Sequence, residues 1–439
     1  MQQILILGVG RSTYYLLKYL HDVLIPAGIR VKAIDLQQAL IDNRQQEFPA
    51  IHFMQSEINP QSIATCIRDT DLVVSMLPPA FHLMVAELCI QQNKHFFTAS
   101  YVSPEIKALH EEAKKRDLLF LMECGLDPGI DHMSALSLID TLKSGGAAIT
   151  SFESFTGGLV HPSYTNPPWN YKVSWNPRNV VLAGQGNPAQ YLKDGTIQSV
   201  PYNKLFMQPS SWKLSGEQIY EGYPNRDSLN YRSLYALEQA GTFVRGTLRY
   251  PGYCFGWNCL IQLGLTDDTN MLPEDPARTG RSFLKNMLSV DDAVLEKELP
   301  GRCANNADAL KYIQALGLFN ETPIYTGAGT AAQILQTIIE QKWKMLPADK
   351  DRIVMIHRIK YNADGKKHVI QSSLVVDGED AERTAMAKTV GLPLAIAIDL
   401  FLHNRISLRG VVIPVTKELY GPILQKLTAF GVVFNERNE

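Results

Sequence analysis

At 439 residues the chain is too long for one ordinary core and suits two or three domains that share a cleft. Apolar residues at 45% against 20% charged exclude a disordered chain, and no uninterrupted apolar run is long enough to cross a bilayer. A formal net charge of -2 without a dense Lys/Arg tract argues against a nucleic-acid partner, so the expected partner is a small molecule.

Met1-Gln2-Gln3 leads straight into the apolar strand Ile4 to Leu7, without the positive stretch and cleavage site of a secretory leader. The strand ends in Gly8-Val9-Gly10-Arg11-Ser12-Thr13, after which Tyr15, Leu16, Leu17, Tyr19 and Leu20 keep helical spacing. A second strand runs from Arg30 to Leu36, and a third apolar run, Asp71 to Leu77, stops at Pro78-Pro79. A helix from Phe81 to Gln91, a strand from His95 to Ala99, a helix from Pro104 to Lys115 and a strand from Leu118 to Met122 follow. Such alternation requires a parallel sheet with right-handed crossovers.

The alternation breaks at Glu123-Cys124-Gly125-Leu126-Asp127-Pro128-Gly129-Ile130-Asp131, which suggests a domain boundary, with Asp131 as the cap of a helix that closes at Gly145-Gly146. Strand-like alternation from Ile149 to Phe155 gives way to a Gly/Pro/Asn/Trp-rich stretch, Gly157 to Asn179, which has the character of a binding loop. From about 270 to 347 the chain reads as helical, clearest from Thr330 to Trp343. Strands Arg352 to Tyr361 and His368 to Val376 are joined across Asn362-Ala363-Asp364-Gly365, a hairpin signal. A helix around Leu394 to Leu402, a strand Val411 to Pro414 and a helix Lys417 to Phe430 complete the chain. The expected fold class is α/β: a Rossmann domain (1–128 and about 394–439), an α+β substrate and dimerisation domain with a mixed or antiparallel sheet (129–268 and 348–393), and a helical insertion (269–347).

The turn Gly8-x-Gly10-x-x-Thr13 keeps the first two glycines of the dinucleotide fingerprint, with Thr13 at the third position. Asp35 ends the next strand, where a carboxylate accepts from a ribose 2'-hydroxyl and repels a 2'-phosphate, favouring NAD over NADP. Alternatively it is a solvated turn acid. Ser75-Met76-Leu77-Pro78-Pro79 and Thr98-Ala99-Ser100-Tyr101 end parallel strands at the edge where open sheets bind ligands. Arg226 and the pair Arg245 and Arg249, among prolines, glycines and aromatics, have the chemistry to grip carboxylates, or to make surface ion pairs. Lys172 is either a phosphate or carboxylate ligand or merely solvated. The six scattered cysteines and ten histidines show no metal-ligand spacing, so no metal is expected, and the thiols suit a reducing cytoplasm.

Five segments carry a family resemblance: Gly125 to His132, Tyr171 to Trp175, Tyr223 to Ser228, Arg245 to Tyr250 and Thr384 to Gly391. In this order they resemble the saccharopine reductases, the L-glutamate-forming saccharopine dehydrogenases of lysine metabolism. The resemblance implies an NADP-dependent oxidoreductase that reduces the imine of 2-aminoadipate 6-semialdehyde and L-glutamate to saccharopine, and the reverse. It places the dinucleotide on Gly8, Val9, Gly10, Arg11, Ser12, Thr13, Asp35, Ser75, Leu77, Pro78, Gly125, Leu126, Asp127 and Ser174. It places the substrate on Ser100, Tyr101, Arg226, Thr247 and Arg249, with Asp127 and Tyr101 next to the reacting amine.

Two departures stand out. The family carries an Arg where this chain has Asp35, which puts NADP in doubt, and a family cysteine is missing from Phe155-Thr156-Gly157-Gly158, where Thr156 remains as a hydrogen-bond donor. A sister enzyme acting on a polyamine, of the carboxyspermidine type, and a non-catalytic dinucleotide sensor of the same fold stay open as alternatives. A homodimer is expected from the prevalence of twofold assemblies.

Overall fold

The computed structural model describes residues 2–214, 218–324 and 327–439. In chain order, the first part contains β1 (Gln3–Leu7), α1 (Tyr14–Tyr19), β2 (Arg30–Asp35), α2 (Gln38–Glu47), β3 (His52–Gln55), α3 (Pro60–Ile67) and β4 (Leu72–Ser75). It continues through α4 (His82–Gln92), β5 (His95–Thr98), α5 (Pro104–Ala108), α6 (His110–Lys115), β6 (Leu119–Leu121) and α7 (Ile130–Ser144). Next come β7 (Ala148–Val160), α8 (Pro177–Val181), β8 (Ala189–Lys193), β9 (Thr196–Val200), β10 (Ser210–Lys213), β11 (Ile219–Pro224), β12 (Thr242–Arg249) and α9 (Tyr253–Gln262). After the short β13 (Met271–Leu272), α10 (Gly280–Leu288), α11 (Leu295–Arg302), α12 (Ala309–Ala315), β14 (Gly329–Thr330) and α13 (Ala331–Lys342) follow, then β15 (Asp351–Ala363) and β16 (Lys366–Asp377). The tail contains α14 (Ala385–Leu402), β17 (Gly410–Val412), α15 (Lys417–Thr428) and β18 (Phe434–Asn438).

Two compact units result: one runs to Ala147 and resumes over Leu374–Asn435, the other holds Ala148–Ser373 and Glu436–Glu439. The first is built on a parallel sheet of order β17-β6-β5-β4-β1-β2-β3. Strands such as Ile4 to Leu7 and Leu72 to Ser75 are buried at every position, as a sheet covered on both faces requires. The second is built on a mixed sheet of order β10-β11-β12-β7-β15-β16-β18, with β8 and β9 attached to β12. The α/β class with a second, mixed-sheet α+β part agrees with the sequence reading.

The boundaries do not. The division falls after Ala147, not after 128, because α7 packs on α15, with the Tyr420 hydroxyl donating to Asp140. The return falls at Leu374, not 394, because α14 starts at Ala385, nine residues before the expected helix, and packs on α1. Thr384 caps it by accepting from the Ala387 amide, and Pro393 lies inside it. A Cβ on Gly391 would meet the Leu16 amide nitrogen at 2.7 Å, so the glycine permits close approach to α1. The α14 helix is long and apolar enough to cross a membrane, and its window is 83% buried inside the unit.

The expected helical insertion is not a separate body. Its buried Leu284, Ile313, Ile334 and Ile338 share one apolar cluster with Trp169, Tyr171 and Trp257. Trp169 and Trp343 ring centroids lie 5.1 Å apart, so much of the stretch expected as a binding loop is core. Its first residues are strand: β7 continues through Gly157-Gly158 to Val160. A Cβ on Gly157 would come within 2.9 Å of the Leu248 carbonyl oxygen on neighbouring β12, so this glycine, too, marks close packing, not a turn. The hairpin reading agrees, with Asp364 and Gly365 at φ 51° and 71° between β15 and β16.

Gly391→Ala is expected to lower stability by about 1–3 kcal/mol through overpacking. Gly421→Ala in α15, where a Cβ meets nothing within 4 Å, should be neutral or stabilising. Urea unfolding midpoints of the two variants against the parent check this contrast.

Candidate functional site

In the first unit the strand order reverses direction between β1 and β4, and the loops at the carboxyl ends beside that point form the natural dinucleotide crevice of such sheets. Gly8 stands at the end of β1 with φ 90°, its amide donating to the Ile34 carbonyl. A Cβ there would lie 3.2 Å from the Met76 carbonyl oxygen. Gly10 differs: a Cβ there would meet no described protein atom within 4 Å. No internal contact demands glycine at that position, whereas a ligand backbone lying against the turn does, so the turn fits a pyrophosphate. Thr13, in place of the third glycine, is buried and donates its hydroxyl to the Gly10 carbonyl at 2.7 Å. The Asp35 carboxylate accepts from the Val9 amide at 2.8 Å and from the Gln37 amide at 2.9 Å, so it organises the turn, beyond the solvated-acid alternative.

Ser75 and Ser100 come together through a residue the sequence did not single out. His82, at the start of α4, places Nδ1 3.1 Å from Ser75 Oγ and Nε2 2.8 Å from Ser100 Oγ. Burial pushes its pKa down to about 4, so the ring is neutral at physiological pH. Its serine partners lie 7 and 18 residues away, and only the pairing of β4 with β5 brings them together.

Tyr101 donates its hydroxyl to Asp127 Oδ1 at 3.0 Å. Asp127 lies in the tight segment where Gly125 and Gly129 cross; a Cβ on Gly129 would lie 2.1 Å from the Gly125 carbonyl oxygen. That crossing sets the start of α7 at Ile130, so Asp131 is in the first turn and not the cap. Asp131 accepts from the Gly129 amide at 2.6 Å and is buried with His132, whose Nε2 meets Glu123 Oε2 at 2.9 Å. Glu123 also accepts from the Val102 amide, which fixes the backbone next to Tyr101.

The second unit carries Arg249, Thr247, Ser174 and Arg226. Arg249 is 4% exposed, with its guanidinium carbon 5.1 Å from the ring centroids of Tyr171 and Tyr253 and 5.8 Å from that of Tyr223. It donates to the Leu248 carbonyl at 2.8 Å, and its Nε has no partner among the described residues. Glu221, opposite it on β11, gives its oxygens to the amides of Gly252 and Cys254. Burial raises the pKa of Glu221. The box therefore holds a buried cation with a donor left for a carboxylate. Thr247 pairs across the sheet with Tyr223 and with Thr156, whose buried hydroxyl also has no partner among the described residues.

Ser174 is buried beside Val173, whose amide donates to the Trp343 carbonyl. Arg226 is exposed at φ 51°, its carbonyl accepting from Gln190. Arg245 is buried against the Tyr231 ring at 4.2 Å, which gives it a packing role. Lys172 is neither a free ligand nor solvated: its Nζ lies 2.6 Å from Asp349, and both are largely buried. Among the described residues no group of three His, Cys, Asp or Glu side chains converges as metal ligands do.

Two family descriptions cover the chain: "Saccharopine dehydrogenase NADP binding domain" over residues 4–121 and "Saccharopine dehydrogenase C-terminal domain" over 125–432. The chain belongs to the saccharopine dehydrogenase family. It is 32% identical over its full length to the mitochondrial alpha-aminoadipic semialdehyde synthase of Mus musculus, of which it spans about half, 48%. To the saccharopine dehydrogenase [NADP(+), L-glutamate-forming] of Pyricularia oryzae it is 30% identical over 99% of both chains. The solved apo saccharopine dehydrogenase (L-Glu forming) of Saccharomyces cerevisiae superimposes with a TM-score of 0.88 over 100% of both chains at 28% identity. The first of these domains spans the Gly8 turn and Asp35.

Buried His82 and half-buried His95 give the first unit a pH signature. Burial holds His82 near 4 instead of 6.5; burial, with the Arg409 cation, does the same to His95. The unfolded chain binds these protons more readily, so their contribution to stability is complete above about pH 6.5 and is lost as the pH falls toward 4. Stability should drop by about 2 kcal/mol for His82 alone between pH 7 and 5. Urea midpoints at both values should show a smaller drop in His82→Asn; an equal drop would remove His82 as its source.

Proposed function

We propose that this chain interconverts saccharopine with L-glutamate and 2-aminoadipate 6-semialdehyde, as a nicotinamide-dependent oxidoreductase of lysine metabolism. The observation that carries the reading is Arg249: a buried guanidinium with a free donor, in a chain whose whole length matches L-glutamate-forming saccharopine dehydrogenases. A ligand with three carboxylates meets that requirement. A polyamine would need an acid in its place, which argues against the carboxyspermidine-type alternative.

A bound nicotinamide dinucleotide supplies the hydride acceptor in the oxidative direction. Saccharopine would lose a hydride from the lysine-side CH2 attached to its secondary amine and a proton from the nitrogen. Water adds to the resulting imine, and the C–N bond breaks to give the semialdehyde and glutamate. Holding the reacting carbon in place supplies much of the acceleration. Arg249, Thr247 and the exposed Arg226 bind carboxylates; Ser100 donates or accepts at the substrate. Tyr101, oriented by its hydrogen bond to Asp127, and Asp127 itself handle the amine proton. In the first unit the turn Gly8 to Thr13 and the segments Ser75 to Pro78 and Gly125 to Asp127 hold the dinucleotide.

On the dinucleotide itself, Asp35 favours NAD, although the Pyricularia oryzae relative is named for NADP(+). Its carboxylate ends β2 and is fixed by two backbone amides, so a 2'-phosphate would meet a fixed negative charge. The same reading carries a cytoplasmic setting for six free thiols and a homodimer.

Purified protein given saccharopine with NAD or with NADP should raise the nicotinamide absorbance; no turnover with either overturns the proposal and leaves the dinucleotide-sensor alternative. Asp35→Arg should shift the ratio of kcat/KM toward NADP by about tenfold or more, and an unchanged ratio would take Asp35 out of cofactor choice. Arg249→Lys should raise KM for saccharopine about tenfold to a hundredfold, with dinucleotide affinity unaltered; saturation like the parent's would exclude Arg249 as an anchor.

A further inference from the structure

Two buried acids of the first unit each bracket one member of the Tyr101–Asp127 pair. The Glu123 amide donates to the Ser100 carbonyl at 3.0 Å, and its Oε1 accepts from the Val102 amide at 3.1 Å, so the backbone is held on both sides of Tyr101. The Asp131 amide donates to the Leu126 carbonyl at 3.0 Å, and its Oδ1 accepts from the Gly129 amide at 2.6 Å, which brackets Asp127 in the same way. The other oxygen of each carboxylate faces one imidazole, that of buried His132. Glu123 Oε2 lies 2.9 Å from Nε2, and Asp131 Oδ2 lies 3.6 Å from Nδ1. Only the first is short enough for a hydrogen bond, and since a carboxylate oxygen accepts, Nε2 donates. Glu123 also stands at φ 56°, a conformation that a residue with a side chain keeps only where its surroundings hold it. Tyr101 and Asp127 themselves are half-buried, so both reach a ligand.

We infer that His132 is a positioning residue: by standing between Glu123 and Asp131 it fixes Tyr101 against Asp127, whose 3.0 Å bond orients the groups that handle the amine proton. Without the ring, Glu123 loses its donor and two buried carboxylates lose the group that separates them. Either acid then turns away, and the Val102 or Gly129 amide is released with it. The inference rests on the reading of Tyr101 and Asp127 as proton-handling groups, within a saccharopine oxidation that turnover by the parent tests separately.

The experiment measures kcat for saccharopine oxidation by the full chain, with both substrates saturating, in the parent, His132→Asn and His132→Gln, and repeats His132→Asn in a Tyr101→Phe background. Gln carries its amide nitrogen about as far out as Nε2 and still donates to Glu123, whereas Asn reaches only as far as Nδ1. In the parent background Asn should lower kcat about tenfold or more, and Gln should stay within about threefold of the parent. In Tyr101→Phe, where the bond to be positioned is already gone, the Asn change should cost less than about threefold. A parent-like kcat in His132→Asn, equal losses with Asn and Gln, or the same factor lost in both backgrounds overturns the inference. Tyr101→Phe separates the two levels: if it lowers kcat and the Asn loss merely multiplies with it, only the positioning falls. If Tyr101→Phe leaves kcat unchanged, the proton-handling reading of Tyr101 falls and takes the positioning with it. Urea midpoints report whether each variant is folded. Should His132→Asn not fold, Glu123→Gln, whose amide oxygen still accepts from Val102, and Glu123→Met, which offers no such acceptor, carry the same contrast. Gln should then stay within about threefold of the parent and Met should lose about tenfold; equal kcat values overturn the inference.

Discussion

The first unit depends on the close meeting of three strand ends at Gly8. The chain leaves β1 there with φ 90°, the Gly8 amide is tied to the end of β2 through Ile34, and the Met76 amide at the end of β4 is tied back to the Leu7 carbonyl. A side chain at Gly8 would push against the Met76 carbonyl. With that contact in place, the turn Val9 to Thr13, the carboxylate of Asp35 and the segment Ser75 to Pro78 have no freedom to drift apart. The reversal of strand order makes the crevice, and Gly8 keeps its walls at a fixed spacing.

The second unit relies on a different device. Its sheet buries a guanidinium among three tyrosine rings, and the rings offset part of the desolvation that burying a cation costs. They offer no carboxylate, and Glu221, the acid opposite, is occupied by two backbone amides. Arg249 is thus held among the rings, with the charge of Glu221 acting on it across the strand pair. That combination suits recognition more than stability, because an internal ion pair would have satisfied the charge more cheaply. Lys172 shows the contrast: its partner Asp349 is internal, and its role ends there.

Much of the first unit was legible because fully apolar strands ending in Gly-x-Gly, an acid or Pro-Pro obey local rules. The places that were not legible share one cause. Gly157, Gly391 and Pro393 look like punctuation along the chain, yet Gly157 and Gly391 answer to Leu248 and Leu16, which are distant in sequence. Asp131 has every local mark of a cap, but the crossing of Gly125 and Gly129 starts the helix two residues earlier. His82 carried no signal because its meaning lies in two hydroxyls that only strand pairing delivers. The tyrosine box drew attention through Arg249 and through the segments that start at Tyr171 and Tyr223, but nothing local marks those rings and Tyr253 as walls of one box.

Asp35 shows how one side chain can tie fold to ligand choice. One of its oxygens organises the turn through Val9, and the other closes the start of the next segment through Gln37. An arginine at the end of β2 could accept neither bond. The two solutions therefore differ in how the glycine turn is held as well as in charge. Asp35 keeps two backbone amides at this turn bonded within the chain and fixes a negative charge at the end of β2.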